Sequence, residues 1–499
     1  MAATIDSALA WWAHETPDNI ALRIGEADLS YVELDRWACN VAVFLHEQGV
    51  RAGARIGTVG GSSLRHCALL LGVIRAGAIA SPLSVRLSAR EIAEFHVKVS
   101  PQLVFADADQ MNKVSVAGTS LLDLGLIDGL RELASNPVAP RADPDAAAGI
   151  IATSGSTASP KGVVLTHRSM LSYAAEFAME EPWCGPGSRV LVLSPLATSA
   201  GFVQLIEFIA LGSTIRFEAA FDAERALALL AGERINVFMG VPLFFERIAA
   251  CAAFAAADLS ALKVSLVGGA RVPRALLETW MAKDCLLRQI YGQTEAGGSA
   301  TMMSKRHAAR CPDKAGRGGM FTEVRTIDSE GRFCPPGVRG EIVIRGPALM
   351  RGYWNDEANT TKALVDGWLR TGDLGVLDED GYLTFVDRIK DIIISGGLNI
   401  SAAEVEHIVA SFPGVLEVAV ISAADARFGE TPMAIIHATA GLEVPALVEH
   451  CNRHLADYKV PRYVVVETTP LPRLATGKIA KPALRERFGS QVARLPRVR

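Results

Sequence analysis

The sequence predicts an α/β protein: a large N-terminal domain of stacked α/β sheets containing a small β-rich subdomain, followed by a small C-terminal α+β domain. Short apolar strand candidates alternate with amphipathic helices through much of the first 300 residues, which favours largely parallel sheets. From about residue 316 to 387, short strands are broken by Gly and Pro, as in GEIVIRG, DGWLRTGD and GYLTFVDR. After Asp391 strands and helices alternate again.

The strand–helix pairs can be read along the chain in order. In the large domain RIGTVG precedes LRHCALLLGVIRAG, VLVLSPL precedes GFVQLIEFIALG, and VSLVGG precedes PRALLETWMA. Asp222 stands where a helix N-cap is expected, and DEDGY at 378–382 is typical of a hairpin turn. The last segment reads DIIIS, AAEVEHIVASF, VLEVAVIS and YVVVE. We therefore predict domains at 1–389 and 390–499.

Composition limits the classes of function. A chain of 499 residues is too long for one ordinary core. A net charge of −4 gives no reason to expect nucleic acid or an anionic membrane as partner. The eight cysteines are scattered without a CxxC pair, which argues against structural zinc and against a disulfide framework. The start lacks the pattern of a signal peptide, and no apolar run reaches about 18 residues. We expect a cytoplasmic protein without a membrane span.

The stretch TSGSTASPKG at 153–162 has the chemistry of a phosphate-binding loop. Gly155 lets backbone N–H groups approach an anion, Ser154, Ser156 and Thr157 add hydroxyl donors, and Lys161 adds charge. It is not a Walker A loop, because Lys161 precedes a glycine and AAGIIATS and VVLTH on either side look like strands. Taken alone, the stretch could equally be a polar turn between two strands.

Five further motifs follow this loop in a fixed order: YGQTE at 291–295, TGDL at 371–374, DRIKD at 387–391, SGGLN at 395–399 and LATGKI at 474–479. Together the six resemble the adenylate-forming enzymes, the superfamily of acyl-CoA synthetases, adenylation domains and luciferases. The resemblance covers essentially the whole chain and is strongest to bacterial benzoate-type and fatty-acyl-CoA ligases. Ala158 stands where the family usually has Gly; if that position requires φ > 0, Ala costs about 1 kcal/mol.

The resemblance implies a two-step reaction that uses ATP, Mg²⁺ and coenzyme A. A carboxylate attacks the α-phosphate of ATP, giving acyl-AMP and pyrophosphate, and the CoA thiol then attacks the activated carbonyl. The leading interpretation is thus an acid:CoA ligase acting on small molecules. Two alternatives are a stand-alone adenylation enzyme that loads a carrier protein and a catalytically silent ATP-binding protein on the same fold.

The resemblance also assigns residues to the first step. Lys478 is the catalytic lysine, Thr294 donates to the α-phosphate, and Glu295 holds the Mg²⁺, a hard cation that prefers oxygen ligands. The ATP- and AMP-binding residues implied are Thr153, Ser154, Gly155, Ser156, Thr157, Lys161, Gly269, Ala270, Arg271, Tyr291, Gly292, Asp373 and Arg388. Within this set Tyr291 is expected against the adenine and Asp373 on the ribose hydroxyls.

For the second step the resemblance implies a C-terminal domain that moves about Lys390. The CoA-binding residues implied are Ser395, Gly396, Gly397, Phe428, Lys459, Arg462 and Arg86.

The acid pocket is expected to be mostly apolar, with Thr198 where many relatives have His. Its implied residues are Ala197, Thr198, Ser199, Phe202, Phe244, Val267 and Gln293. We therefore expect a neutral-tailed monocarboxylate, aryl or alkyl, and a monomer or homodimer.

Overall fold

The computed structural model describes residues 3–114, 119–133, 143–153, 160–473, 478–489, 491–492 and 495–498. The chain divides into two compact units. Unit 1 comprises Met1–Val324, Ile344–Arg370 and Gly381–Leu383, and unit 2 comprises Arg325–Val343, Thr371–Asp380 and Thr384–Arg499. Unit 2 thus takes in residues that the predicted boundary at 389/390 assigned to the large domain. A moving domain that begins at Lys390 stays a prediction.

Several helices begin at side-chain caps that the sequence offers. Ser30 and Ser88 each form a capping box with a glutamate three residues later, and Asp222 accepts a hydrogen bond from the backbone of Arg225, as predicted. The α-helices are α1 (Ile5–Glu15), α2 (Tyr31–Glu47), α3 (Leu64–Arg75), α4 (Ala89–Val99), α5 (His167–Glu180), α6 (Ser199–Ala210), α7 (Ala223–Gly232), α8 (Pro242–Ala249), α9 (Arg274–Met281), α10 (Glu357–Ala363), α11 (Ala402–Ala410), α12 (Val444–His454) and α13 (Lys481–Gly489). Short 3₁₀ helices lie at Met111–Lys113, Leu124–Leu130, Thr294–Ala296, Ile389–Asp391 and Asp457–Lys459.

The strands form four sheets. In chain order they are β1 (Ile20–Ile24), β2 (Ala27–Ser30), β3 (Arg55–Val59), β4 (Ile79–Leu83), β5 (Leu103–Ala106), β6 (Ser120–Asp123), β7 (Ala147–Thr153), β8 (Lys161–Thr166), β9 (Arg189–Val192), β10 (Thr214–Phe217), β11 (Val237–Gly240), β12 (Val264–Gly268), β13 (Leu287–Gln293), β14 (Gly298–Met302), β15 (Glu323–Ile327), β16 (Arg339–Arg345), β17 (Gly352–Tyr353), β18 (Leu364–Val365), β19 (Trp368–Leu377), β20 (Leu383–Arg388), β21 (Ile392–Ser395), β22 (Leu398–Ser401), β23 (Val415–Asp425), β24 (Gly429–Ala438) and β25 (Tyr463–Glu467).

Two large sheets belong to unit 1. The first has the order β14-β13-β12-β11-β9-β10-β1-β2, and the second β17-β8-β7-β4-β3-β5-β6. Neighbours from β13 to β1 pair in parallel, as do β7, β4, β3, β5 and β6 in the second sheet. The predicted α/β architecture with largely parallel sheets is confirmed. β8 returns antiparallel to β7 from the phosphate-loop stretch, and β17 pairs with β8.

The predicted β-rich segment and the C-terminal segment each contribute a smaller sheet. The third sheet has the order β15-β16-β19-β18, with β20 beside β19, and the turn between β19 and β20 is the predicted DEDGY hairpin. The helix α10 interrupts this segment, and the sequence reading did not predict it. The fourth sheet, in unit 2, has the order β22-β21-β24-β23 with β25 beside β24.

Apolar side chains fill separate cores in the two units. In unit 1, Phe238, Phe245 and Trp280 are buried together with α7, α8 and α9 against the first sheet. In unit 2, Ile436 and Val405 belong to a core that α11 and α12 form on the fourth sheet. Within the described residues, no helix is long and apolar enough to cross a membrane.

Candidate active site

The predicted nucleotide residues of unit 1 follow neighbouring strands of the first sheet. Gly269 comes directly after β12, the motif YGQTE closes β13, and Phe244 follows β11. Because these strands are parallel, their carboxyl ends meet at one edge of the sheet, where ligands of α/β proteins bind. Gly269 has φ +77°, which glycine adopts without strain, while Ala270 and Arg271 are exposed at the same turn. The topology therefore brings these predicted residues to one edge of the sheet.

The phosphate-loop stretch connects β7 to β8. Thr153 and Lys161 face each other as the last pair of this antiparallel ladder, which confirms the strands predicted on either side. Ser154, Gly155, Ser156 and Thr157 lie outside the described residues, as does Ala158. The hydroxyl oxygen of Thr153 is buried and has no hydrogen-bond partner among the described residues. A buried hydroxyl without a partner at this position is suited to donate a hydrogen bond to a ligand.

The carboxylate of Glu295 is fixed by a residue that the sequence reading missed. The Tyr353 hydroxyl donates a 2.9 Å hydrogen bond to Glu295 Oε1, and the Lys161 ammonium lies 4.6 Å from the centre of the Tyr353 ring. Burial and the nearby Glu295 carboxylate raise the pKa of Tyr353 well above its usual value, so it stays a donor. The backbone N–H of Met350 donates to the Glu295 carbonyl, which fixes the same turn.

Glu295 suits a magnesium ion. Within the described part of the chain, no three His, Cys, Asp or Glu side chains are placed to hold a metal together. Mg²⁺ is commonly bound through one or two carboxylates plus the phosphates of its substrate, so a half-buried single carboxylate beside a phosphate loop fits the ion. Thr294 lies beside Glu295 in the same short 3₁₀ helix.

Tyr291 and Gly292 occupy the strand that leads into this turn. Tyr291 is 7% exposed, and its backbone N–H donates to Thr301 Oγ1 at 3.1 Å. A Cβ at Gly292 would lie 2.1 Å from the Gly298 carbonyl oxygen, so only glycine fits where β14 passes. This close approach places the start of β14 directly beside the predicted adenine residues.

The predicted acid-pocket residues surround the start of α6. Thr198 is the N-cap of α6: its hydroxyl donates to the Pro195 carbonyl at 2.7 Å and accepts from the Gly201 N–H at 3.2 Å. Ala197 and Ser199 flank this cap. Phe202 is fully buried, and its ring lies where a Cβ on Gly149 of β7 would be. The Thr198 hydroxyl, at the position where many relatives have His, therefore forms its hydrogen bonds at the start of α6.

The remaining predicted pocket residues have different surroundings. Phe244 packs on Phe221 with ring centres 4.6 Å apart, and Val267 is fully buried in the same hydrophobic cluster. Gln293 is partly buried, and its Nε2 has no hydrogen-bond partner among the described residues. A donor of this kind is suited to a polar group of a ligand.

Unit 2 brings three predicted residues together. Arg388 Nε lies 3.7 Å from Asp373 Oδ1, and Asp373 is 9% exposed. Lys478 lies within electrostatic reach of both: burial and the positive charge of Arg388 lower the pKa of Lys478 to about 8, while Asp373 opposes the shift. The structure thus groups Asp373 and Arg388 with the predicted catalytic lysine in unit 2.

The predicted hinge residue lies in a short 3₁₀ helix, Ile389–Asp391, whose two ends are anchored within unit 2. Asp387 accepts hydrogen bonds from the Ser401 hydroxyl at 2.7 Å and from the Ala403 N–H at 3.0 Å. Asp391 pairs with Arg485 at 2.6 Å. Lys390 itself is exposed between these anchors.

Five of the seven predicted CoA residues lie together in unit 2. The Gly396 N–H donates to the Phe428 carbonyl at 2.8 Å, and the Arg462 guanidinium lies 4.5 Å from the centre of the Phe428 ring. Gly396 and Gly397 have φ +58° and +83°, and Ser395 before them is buried. The other two are elsewhere: Lys459 forms a 2.7 Å salt bridge with Glu404, and Arg86 is an exposed residue of unit 1.

Comparison with known proteins assigns the family. The model of the AMP-binding enzyme family matches residues 9–354, and that of the AMP-binding enzyme C-terminal domain matches residues 404–478. The chain belongs to the AMP-binding enzyme family. The predicted superfamily and enzyme class, an AMP-forming acid–thiol ligase, are therefore confirmed.

Curated and solved members of the AMP-binding enzyme family are similar along nearly the whole chain. A feruloyl-CoA synthase from Amycolatopsis sp is 35% identical, over 96% of this chain and 97% of that protein. The long-chain-fatty-acid–CoA ligase FadD13 of Mycobacterium tuberculosis is 33% identical, over 93% and 94%. Among solved structures, o-succinylbenzoate CoA synthetase from Bacillus subtilis, in complex with its acyl-adenylate intermediate, is 27% identical in sequence. The match covers 96% of this chain and 97% of that chain, with a TM-score of 0.88.

Proposed function

We propose that this chain is an ATP-dependent carboxylic acid:CoA ligase that activates a mostly apolar monocarboxylate as acyl-AMP and then transfers the acyl group to coenzyme A. The observation that carries the assignment of the site is the contact of Tyr353 with both Glu295 and Lys161. Glu295, which we assign to the metal, bonds to the hydroxyl of Tyr353, and Lys161, which we assign to the phosphates, lies over its ring. The family and its curated CoA ligases support the same reaction.

In the first step a carboxylate oxygen of the acid bonds to the α-phosphorus of ATP, while the bond from that phosphorus to the pyrophosphate oxygen breaks. Two anions meet, so the site must supply positive charge and donors where charge develops. Glu295 would hold the Mg²⁺ ion, which when bound would neutralise charge on the phosphates. We assign Lys161 and the Thr153 hydroxyl to the β- and γ-phosphates, and Thr294 to the α-phosphate.

We assign the remaining nucleotide contacts on the family resemblance. Tyr291 offers its ring to the adenine, beside the turn Gly269–Arg271. Asp373, held near Arg388, offers two carboxylate oxygens to the ribose hydroxyls. Lys478 shares this environment and supplies the positive charge for the α-phosphate in its protonated form.

In the second step the CoA thiol sulfur attacks the acyl carbonyl and AMP leaves. We propose that the region after Lys390 rotates between the steps, as in the family the sequence resembles. Ser395 and the side-chain-free Gly396 and Gly397 leave space for the pantetheine, beside the Phe428–Arg462 stack. Lys459 forms a salt bridge with Glu404, so it binds CoA only if that salt bridge breaks. Arg86 is assigned to the CoA nucleotide on the resemblance alone.

The acid is aryl or alkyl and mostly apolar. The buried rings and aliphatic side chains of Phe202, Phe244 and Val267 support this, with Ala197, Thr198 and Ser199 leaving room near the carboxylate. The relatives are named for ferulate, long-chain fatty acids and o-succinylbenzoate. Their names span both classes of acid.

The decisive experiment is pyrophosphate release across a panel of aryl and alkyl acids, with and without CoA and with Mg²⁺ chelated. A CoA ligase releases pyrophosphate only when acid, ATP and metal are all present. It also converts CoA to thioester at a rate that saturates as the CoA concentration rises. Release without any saturable dependence on CoA would identify the carrier-loading alternative. No release with any acid would leave a catalytically silent ATP-binding protein.

We place the enzyme in the cytoplasm, as a monomer or homodimer. All eight cysteines lie in the described part of the chain, and none of them forms a disulfide, which is typical of proteins kept in a reducing compartment. Light scattering on the purified chain determines the oligomeric state. An assembly larger than a dimer would contradict this part of the proposal.

A further inference from the structure

The residues on either side of Lys478 are tied to each other. Arg473 and Ile479 form an antiparallel bridge, and Lys478 directly precedes Ile479 in the chain. We call residues 471–473 the first arm and residues 479–481 the second arm. The position of the Lys478 backbone therefore depends on what holds these two arms.

The carboxylate of Glu417, in β23, holds the first arm. Its Oε2 accepts a hydrogen bond from the Leu471 N–H at 2.7 Å, and its Oε1 pairs with the Arg473 guanidinium. The Glu417 side chain is 17% exposed. Both oxygens of one largely buried carboxylate are thus bound to the same short arm.

The carboxylate of Glu406, in α11, holds the second arm. Its Oε1 lies 2.7 Å from the ammonium of Lys481, the first residue of α13, and also accepts from the Val420 N–H at 2.7 Å. Burial raises the pKa of Glu406, while Lys481 and the Val420 N–H favour its charged form. Lys481 follows Lys478 by three residues, so this ion pair fixes the chain close to the lysine.

Apolar side chains hold both arms and α13 against one face of the fourth sheet. They pack on β23 and β24, and they are Leu471, Ile479, Leu484 and Phe488. Apolar burial is non-directional, whereas a charge-assisted hydrogen bond requires a defined geometry. The apolar contacts therefore keep the arms on the sheet, and the two carboxylates fix where on the sheet they lie.

The chemistry assigned to Lys478 requires an accurate position. A lysine ammonium is a point charge on a flexible stem of four carbons. The charged groups near this ammonium are Arg388 and Asp373. When a catalytic group is misplaced by about 1 Å, the rate can fall on the order of 10²-fold.

We propose that Glu417 and Glu406 are positioning residues for the adenylation step. Each carboxylate fixes one arm, and together they hold the Lys478 ammonium where it meets the α-phosphate of ATP. Neither carboxylate belongs to any of the six sequence motifs. This inference rests on the proposed function, because it specifies how the same site holds its catalytic lysine.

The test removes one negative charge at a time and measures the two half-reactions separately, with an acid that supports pyrophosphate release. Glu417→Gln and Glu406→Gln keep the shape of the side chain and an oxygen that can accept from the backbone N–H, but they lose the ion pair. Each should lower kcat/KM for pyrophosphate release by about tenfold or more. Thioester formation from supplied acyl-AMP and CoA should stay close to the wild-type rate, because that step does not use Lys478.

A second readout reports the surroundings of Lys478. Burial and Arg388 lower the pKa of Lys478 to about 8, so wild-type pyrophosphate release should fall above that pH. A lysine that is no longer held in its buried position has a pKa closer to the ordinary 10.5. In both variants the alkaline fall should therefore begin at a higher pH.

Further variants serve as controls. Glu467→Gln breaks another ion pair of α13, which Glu467 forms with Arg487 at 2.9 Å, and should change neither half-reaction. Arg473→Gln and Lys481→Gln break the two proposed ion pairs from the other side. They should show the same selective loss, which covers the case in which a Glu variant does not fold. Lys481→Arg keeps the charge and should keep most of the activity.

The outcomes separate this inference from the proposed function. Equal loss of both half-reactions in folded variants, or unchanged pyrophosphate release in them, would overturn the inference alone. The same holds for a lower rate whose alkaline fall still begins near pH 8, and for an equal loss in Glu467→Gln. Absence of pyrophosphate release by the wild-type enzyme with every acid would overturn the proposed function and this inference with it.

Discussion

The hydroxyl of Tyr353 donates a 2.9 Å hydrogen bond to Glu295, a residue 58 positions earlier in the chain. The same ring lies under the ammonium of Lys161. Tyr353 can reach both because it lies in β17, which pairs with β8, the strand that follows the phosphate-loop stretch in sequence. One side chain therefore sets the distance between the proposed metal carboxylate and the proposed phosphate lysine.

Removing only this hydroxyl should weaken metal-dependent adenylation. Tyr353→Phe keeps the ring beside Lys161 but loses a bond to a charged group, worth about 1.5–3 kcal/mol. We expect kcat/KM for pyrophosphate release to fall on the order of 10–100-fold, with a higher Mg²⁺ concentration needed for half-maximal rate. Tyr353→Leu should be worse, since it also removes the ring. An unchanged Mg²⁺ dependence in Tyr353→Phe would show that the hydroxyl does not position Glu295.

The pH dependence of the first step should report Lys478. Burial and Arg388 lower the pKa of Lys478 to about 8, so the charged form needed at the α-phosphate is present below pH 8 and lost above it. The free-enzyme profile, kcat/KM for pyrophosphate release without CoA, should fall about tenfold per pH unit above pH 8. Lys478→Arg stays charged throughout, so its residual activity should lack this fall. A wild-type rate that is flat or rising from pH 7 to 9.5 would contradict the assignment.

Substitution of Thr198 should separate its role as a helix cap from its place in the acid pocket. Thr198→Ser keeps the cap bonds to Pro195 and Gly201 and should leave the acid profile largely intact. Thr198→Phe should narrow the range of acids accepted without abolishing ATP binding, and loss of the cap should cost about 1 kcal/mol of stability. Acid panels and thermal unfolding of both variants measure the two effects. A Phe variant with the wild-type acid profile would place Thr198 outside the pocket.

A proline at the predicted hinge should affect the second step selectively. Lys390 lies in a 3₁₀ helix, whose φ is close to the −65° that proline fixes, so Lys390→Pro should fold. We expect acyl-AMP formation to survive and thioester formation to fall sharply. Lys390→Ala is the matched control, because it removes the charge and leaves φ free. Equal loss of both steps in Lys390→Pro would show that this residue is not a selective hinge.

The sequence predicted the elements well where the signal was local. The strands on both sides of the phosphate-loop stretch and the Asp222 cap depend on neighbouring residues, and all are confirmed. The grouping of Asp373 and Arg388 with Lys478 depends on packing across more than 80 residues. No local pattern encodes that grouping, and the predicted domain boundary at 389/390 stays a prediction.

The site residue that was missed had only a weak local signal. Tyr353 is a lone tyrosine after a glycine, and its partners lie far away in sequence. Only the folded structure brings Glu295 and Lys161 to it.

The role of Lys478 is the central claim, and its removal tests it most directly. In acyl-AMP formation its ammonium offsets charge that builds on the α-phosphate oxygens, whereas in thioester formation the proposed rotation after Lys390 has carried it away from the reacting atoms. Losing one preorganised donor of this kind costs about 3–4 kcal/mol, on the order of 10²–10³ in rate.

The measurement is therefore the rate of each half-reaction in Lys478→Ala, made separately. Acyl-AMP formation is followed by pyrophosphate release, and thioester formation is followed from supplied acyl-AMP and CoA. We predict that the first falls by about 10²–10³ and the second stays close to the wild-type rate. Equal loss of both half-reactions in a folded variant, or no loss of either, would contradict the assignment of Lys478 to the adenylation step.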